Sequence, residues 1–430
     1  MAGAWRNWAG DQECRPARIL TPRDRDELNG AVAEAAAAGK ASVLGAGHSF
    51  TGTALTDGVA IDVAALSGVI DADPASGLVE VGAGTVLADL NRELDRLGLA
   101  MENLGDIDRQ TVAGAISTGT HGTGARLRNL SAQVEAVELV TAAGDARKID
   151  GAEPELLRAA RIGLGALGAI AAVTLRCVPA FALRRVDAPR PREQVLDDFE
   201  RQTAAHDHFE LFTFPYSDSA LTIERNRVAG APPPRRARAA RFNEVVLENW
   251  ALGSLAATGK RFPAAIPALS RLAGRLASGS SRTEASHRIF ASERRVRFTE
   301  MEYGVPREHG PEAVRRTIEW VRRNRYPVFF PIEVRVAAGD DALLSPSHDR
   351  DTAYIAVHQY RGMEWRPYFE AVEGIMREYG GRPHWGKRHF QAAATLAPLY
   401  PEWDRFQAAR DELDPGRVFT NDYAERVLGP

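Results

Sequence analysis

The sequence predicts an α+β fold, and three observations carry that prediction. Short β-branched runs at residues 59–63, 78–81, 134–140 and 169–176 read as strands, while residues 22–39 and 85–97 show apolar side chains at helical spacing. Three glycine-rich segments, at 45–47, 117–124 and 163–168, lie among these elements. The pattern then changes at about residue 180 to longer strands and helices. A chain of 430 residues is long enough to bury two or three cores of its own.

Taken in order, Trp5 and Trp8 precede the first regular element and read as packing residues. Pro22 sits where a helix can begin, and Leu28, Val32 and Ala35 recur until Gly39 stops it. The next strand runs into Gly45-Ala46-Gly47-His48-Ser49. A turn without Cβ atoms lets backbone N–H groups converge on a diphosphate, and an imidazole directly after it can reach a ring on the same cofactor. A plain strand-to-loop turn with His48 capping a backbone group fits these residues equally well. In the helix at 85–97, Leu87, Leu90, Leu94 and Leu97 share one side. The following loop, 103–111, is too polar for a core.

Ser117 to Gly124 holds three glycines and four hydroxyls, a composition suited to a polar phosphate-bearing ligand or to a tight loop. Residues 134–149 read as a hairpin. The segment Gly163 to Gly168 formally satisfies the dinucleotide fingerprint, but a helix precedes it and a strand follows it. That inverted order excludes a nicotinamide-type Rossmann site.

Further on, Pro232 to Arg238 is a rigid charged excursion. Ile266, Leu269, Leu272 and Leu276 are expected on one apolar side of a helix whose arginines, Arg271 and Arg275 with Arg261 nearby, are solvated or dock on an anionic membrane or redox partner. In the strand predicted at 329–336, period-two alternation buries Ile332, Val334 and Val336 and sends Glu333 and Arg335 to the other face. By themselves these two read as an ion pair. Tyr354, Ala356, His358 and Tyr360 share one side of the next strand. His384-Trp385-Gly386-Lys387 puts a lysine on a glycine-relaxed turn, and residues 413–421 read as a structural return.

A net charge of −3 provides no basic field for nucleic acid. Two cysteines, Cys14 and Cys177, are too few for a disulfide framework and fit a reducing cytoplasm. The N-terminus lacks an apolar signal core, and no run of 18 apolar residues spans a bilayer, so a soluble chain is expected. His384 and His389, five apart, do not match a zinc-protease pair, and no metal is expected.

Gly-His-Ser at 47–49, Gly-Thr-His-Gly-Thr-Gly at 119–124 and His-Trp-Gly-Lys at 384–387 together resemble the vanillyl-alcohol oxidase/p-cresol methylhydroxylase flavoproteins, in the branch of sugar-1,4-lactone oxidoreductases with alditol oxidases as near cousins. The resemblance spans the chain except roughly 226–290. It implies a two-part FAD-binding domain of the p-cresol methylhydroxylase type over 1–179 and an α+β substrate (cap) domain over 180–380 with a variable basic insertion near 226–290. A C-terminal segment, 381–430, would then return to the flavin. It assigns FAD contacts to Gly45, Ala46, Gly47, His48, Ser49, Gly114, Ser117, Gly119, Thr120, His121, Gly122, Gly124, Gly165, Gly168, Ile170 and Lys387, with an 8α-histidyl bond at His48. Substrate contacts fall to Thr111, Glu333, Arg335, Tyr360 and His384, and catalysis to Glu333, Arg335, Lys387 and His358. The proton acceptor is Glu333 first and His358 second. The implied reaction is oxidation of a sugar-1,4-lactone at C2–OH by hydride transfer to flavin N5. The alternative is an alditol oxidase acting on the terminal hydroxyl of an open-chain polyol such as xylitol. Dioxygen, a cytochrome or a quinone would reoxidise the flavin.

Overall fold

A computed structural model describes residues 3–230, 253–276, 278–292, 294 and 296–430. The excursion expected at 232–238 lies outside the described residues. The helix after Pro22 runs Arg25–Ala38: the Asp24 carboxylate caps it by accepting from the Glu27 N–H, and Gly39 ends it at φ +93°. Its start thus follows the capping carboxylate rather than the proline. The helix buries Leu28, Ala31, Val32 and Ala35 in the core it shares with a three-stranded parallel sheet ordered Arg18–Leu20, Val59–Asp62, Ala41–Leu44. Val418 and Phe419 from the far end of the chain join the same core.

A five-stranded antiparallel sheet follows, ordered Ala146–Ile149, Val134–Val140, Ala169–Arg176, Leu78–Gly82, Val69–Asp73. Helix Leu87–Arg96 buries Leu87, Leu90 and Leu94 in the core that contains the inward residues of this sheet. Leu97 falls just past the helix and is 37 % exposed, because the chain has by then left the amphipathic register.

The second half builds an eight-stranded antiparallel sheet ordered Ser280–Ala285, Ala182–Pro191, Ser219–Val228, His208–Thr213, Ile332–Ala337, Thr352–Tyr360, Phe298–Pro306, Arg382–Pro383. Alternation along these strands separates two chemistries. Phe209, Leu211, Met301, Tyr303, Val305, Val334, Val336, Ile355 and Val357 share a core with residues of helices Gly310–Arg323 and Arg366–Glu378. The opposite face carries Glu210, Glu300, Glu302, Glu333, Arg335 and His358, all buried, with Glu300 opposite His358 and Glu333 opposite Ala356 in the register. A buried row of charges is tolerated only if its members compensate one another.

Helix Ile266–Leu276 forms as expected but turns a different side inward. Ile266, Ser270 and Gly274 are buried, whereas Leu272 and Leu276 are exposed. The cause is close approach: a Cβ on Gly274 would lie 2.2 Å from Ser217 Oγ, so the small residues and not the leucines form the seam. No helix among the described residues is long and apolar enough to cross a membrane. Cys14 and Cys177 are both free thiols.

Candidate active site

The strand Ala41–Leu44 empties into the turn at 45–49. Gly47 adopts φ +69°, where a Cβ would also lie only 3.0 Å from the Trp5 ring. Beyond this turn the Phe50 N–H donates to the Gly386 carbonyl at 2.8 Å and Ser49 Oγ donates to the same carbonyl at 3.2 Å. These bonds stitch the turn to the His384–Lys387 segment from the far end of the chain. The backbone N–H groups of Ala46, Gly47, His48 and Ser49 find no acceptor among the described residues. Four unpaired donors in succession beside a cavity form a nest suited to an anionic ligand.

That cavity is continuous. Its lining includes Gly45, Ala46, Gly47, His48, Ser49, Thr111, Gly114, Ser117, Thr120, His121, Gly165, Gly168 and Ile170 at the glycine turns, and Arg335, His384 and Lys387 from the distant half. Gly119, Gly122 and Gly124 stand outside the lining and serve the path of the chain instead. Gly119 is at φ +70° and Gly124 at φ +150°, and a Cβ on Gly122 would lie 2.3 Å from Asn103 Oδ1 and 2.4 Å from the Leu104 carbonyl. Tyr360, the last residue of its strand, is also outside; it is half-buried and stacks on Phe330 with centroids 6.4 Å apart. Glu333 lies one layer behind the lining against Arg335, and His358 lies behind it against Glu300, which in turn pairs with Lys387.

His48 stacks on Trp8 with ring centroids 5.8 Å apart. Burial, with Lys387 and Arg109 adding to it, drops its pKa to about 4, so the ring is neutral at physiological pH. His121 is held differently. Its Nδ1 faces the Gly122 carbonyl at 2.8 Å, its Nε2 faces Glu302 Oε1 at 3.2 Å, and its ring lies on Tyr354 at 3.6 Å. His384 Nδ1 accepts the Gly386 N–H at 3.0 Å, and burial lowers the pKa of that ring to about 3. Ligand atoms of His121, Glu302 and His384 all fall within 4.8 Å of one another, a grouping that resembles a metal site. The contact between His121 Nε2 and Glu302 and the Gly386 bond to His384 already account for that closeness.

Lys387 is paired with Glu300, and its ammonium lies 5.3 Å over the Phe50 ring. Burial pulls the lysine pKa down, but Glu300 and Glu302 more than offset this, so it stays charged. Glu300 also lies 3.4 Å from His358 Nε2, and His358 Nδ1 faces the Pro331 carbonyl at 3.3 Å. Both ring nitrogens therefore face acceptors. Burial lowers the His358 pKa and Glu300 raises it, with a net rise. The Glu300 carboxylate thus favours the protonated form of this ring.

Arg335 touches Glu333, lies 3.3 Å from Asp106 and 3.6 Å from Glu210. Asp106 is also bound by Arg294 at 2.6 Å, and Glu210 by Arg225 at 3.1 and 3.2 Å. These arginines hold Asp106 well below the ordinary carboxylate range against the upward push of burial. Glu333 shifts the other way. Burial, reinforced by Asp106 and Glu210 against the pull of Arg335, pushes its carboxyl up to about 7. Glu333 Oε1 and Arg335 Nη2 face each other in that ion pair, and Arg335 Nε, 3.6 Å from Glu210, makes no hydrogen bond to the described residues.

Asp106, Glu210, Glu300 and Glu302 escape a sequence reading that finds Glu333 and Arg335. Glu300 and Glu302 do carry a signal, since they alternate with apolar residues in Phe298–Pro306 just as Glu333 and Arg335 do in Ile332–Ala337. Asp106 and Glu210 reach the site only through tertiary packing.

The cavity combines an unpaired backbone nest, a neutral histidine beside it and a lysine at its far end, and these features fit a flavin dinucleotide. Residues 16–150 match an FAD binding domain and residues 173–427 match the D-arabinono-1,4-lactone oxidase family. The chain belongs to that family. It is 49 % identical to L-gulono-1,4-lactone dehydrogenase of Mycobacterium tuberculosis over the full length of both chains. L-gulonolactone oxidase of Bos taurus is 33 % identical, with 99 % of this chain and 98 % of that one covered. Among solved structures, a solvent-stable cholesterol oxidase superposes with a TM-score of 0.83 at 20 % identity, covering 99 % of this chain and 97 % of that one. The fold is thus the α+β flavoprotein type of p-cresol methylhydroxylase, and the protein is an FAD-dependent oxidoreductase of the D-arabinono-1,4-lactone oxidase family. Of the residues expected to contact FAD, the 45–49 turn, Gly114, Ser117, Thr120, His121, Gly165, Gly168, Ile170 and Lys387 line this cavity and could hold the cofactor there. Phe419 and Asn421, from the stretch expected to return to the flavin domain and to steady the fold more than the reaction, also line the cavity.

Proposed function

We propose that this protein oxidises the C2 hydroxyl of an aldono-1,4-lactone, with L-gulono-, L-galactono- and D-arabinono-1,4-lactone as the candidate substrates. The observation that carries the reading is Glu333, a buried carboxyl with a pKa of about 7, touching an arginine that lines the cavity. FAD, when bound, supplies the hydride acceptor. Arg335 orients the substrate hydroxyls, since a guanidinium offers forked donors to neighbouring oxygens. Glu333 takes the hydroxyl proton, because a base poised near neutrality combines availability with driving force. His358, whose protonated form Glu300 favours, is the second candidate for that role. Lys387 keeps a buried positive charge near the reacting edge, where negative charge develops. Thr111 Oγ1 accepts the Gly114 N–H at 3.2 Å and keeps its own proton for a ligand oxygen.

The names of the relatives support lactones over open-chain polyols. The test is a substrate panel of 1,4-lactones against xylitol and sorbitol, run with dioxygen and with an artificial electron acceptor. Turnover of polyols alone would overturn the reading. Glu333→Gln is expected to lose about 10²–10⁴-fold in kcat with flavin retained.

His48 is the residue we assign to a covalent flavin bond. Its support is a neutral ring with no hydrogen bond to the described residues, next to the unpaired nest; His121 has both ring nitrogens engaged. Acid precipitation should carry the yellow colour into the pellet, and His48→Ala should release it to the supernatant. Colour in the supernatant from the parent protein would refute the bond.

A further inference from the structure

We propose that the outward face of helix Ile266–Leu276, with the adjoining turn at Arg261 and Phe262, docks on the anionic surface of a lipid bilayer. This inference is independent of which substrate the cavity takes.

The helix is fixed by its inner seam. Ile266, Ser270 and Gly274 are buried and recur every four residues, and Gly274 lets the helix approach Ser217 more closely than any side chain would allow. At 3.6 residues per turn, Leu272 and Leu276 then project roughly 200° and 240° round from Ser270 at the centre of that seam, into solvent. Leu272 is 45 % exposed, Leu276 67 % and Phe262 58 %. These are three of the five large apolar side chains exposed among the described residues, gathered in one short segment, which argues against random surface scatter. Arg271 and Arg275 stand on the adjacent flank of the same face, and both are exposed. Neither they nor Arg261 forms an ion pair among the described residues, although most exposed arginines among the described residues do. Arg261 lies 5.2 Å from the Phe262 ring centroid.

Unpaired guanidinium groups beside exposed leucines and a phenylalanine match a surface that offers acidic headgroups over hydrocarbon. A protein carboxylate patch would satisfy the arginines but leaves the outward leucines without a reason. Behind the seam the helix joins an apolar cluster of Ile266, Phe298, Phe329, Phe330 and Phe50, and Phe50 lies under Lys387. The docking face is therefore one packed layer from the reactive end of the cavity.

The test uses the full-length, flavin-loaded protein in a flotation assay. Vesicles of phosphatidylcholine with about one-third phosphatidylglycerol are compared with pure phosphatidylcholine, at low and high salt. The parent should float only with the anionic vesicles, and less at high salt. The double variants Arg271→Glu with Arg275→Glu, and Leu272→Ser with Leu276→Ser, should each reduce binding about tenfold or more while melting temperature and flavin content stay at parental values. As a second readout, the indole introduced by Leu272→Trp should shift its emission to the blue on adding anionic vesicles, measured as the difference from the parent. No flotation of the parent, or parental binding by either double variant, overturns the proposal, as does a difference emission from the Leu272→Trp variant that anionic vesicles leave unmoved.

Discussion

Glu333 shows why a reactive carboxyl is costly to keep. Its folded pKa, about 7, is raised above the ordinary value for a glutamate, so its protonated form is the one the fold favours. The stabilising contribution is therefore complete below the unfolded pKa and is lost as pH rises through 7. Activity runs the other way, because the ionised form is the base. We expect log kcat/KM to climb with pH on a limb near 7, and Glu333→Gln to abolish that limb. In thermal melts the variant should gain on the parent between pH 5 and pH 8, since glutamine carries no charge to bury. Arg335 keeps Asp106 and Glu210 as counterions in that variant, so the loss of one carboxylate does not strand it. A gap in melting temperature that is constant with pH would show that Glu333 is an ordinary low-pKa ion-pair partner.

At the scale of elements, the glycine turns and the strand periods are legible because they are local. Residues 169–176 read as a strand and form one with those bounds, and the two-residue alternation correctly sends Glu333 and Arg335 to the same face. What escapes is whatever depends on register between strands or on loops crossing the sheet. Glu300 meets His358 only because Phe298–Pro306 pairs antiparallel with Thr352–Tyr360, and no pattern within either strand sets that alignment. Tyr360 stands outside the lining for a related reason: alternation gives its face but not the point at which the strand runs past the cavity. The 103–111 loop brings Asp106 to Arg335 across Gly122, where the missing Cβ is an absolute requirement. Gly122→Ala would press on Asn103 Oδ1 and the Leu104 carbonyl, and the backbone contact cannot be relieved by a rotamer change. We expect a loss of about 1–3 kcal/mol in stability and a raised KM as Asp106 is displaced. Unchanged KM would mean that the loop yields elsewhere.

On the scale of the whole molecule, the site is closed by the two ends of the chain rather than by neighbours in sequence. Asn421 is the clasp. Its Nδ2 donates toward Ser42 Oγ and the carbonyls of Gly52, Thr53 and Leu55, while its Oδ1 accepts the Ala424 N–H and caps the last helix. Asp414 supports the same return by accepting the Val418 and Phe419 N–H groups at 2.8 and 2.7 Å, and the Val418 carbonyl accepts from Ala41 at the start of the strand that leads to the nest. A side chain with two N–H protons surrounded by several acceptors cannot be replaced by a methyl group without leaving buried carbonyls bare. Asn421→Ala should therefore cost about 1–3 kcal/mol and act on the 45–55 region more than on the eight-stranded sheet. Hydrogen exchange is the measurement that separates these. Faster exchange at residues 50–56 with protection unchanged at 298–306 and 352–360 is the expected result, together with weaker flavin retention in a His48→Ala background. Uniform acceleration across both regions would mean that the C-terminal segment stabilises the molecule as a whole and has no special hold on the turn that cradles the cofactor.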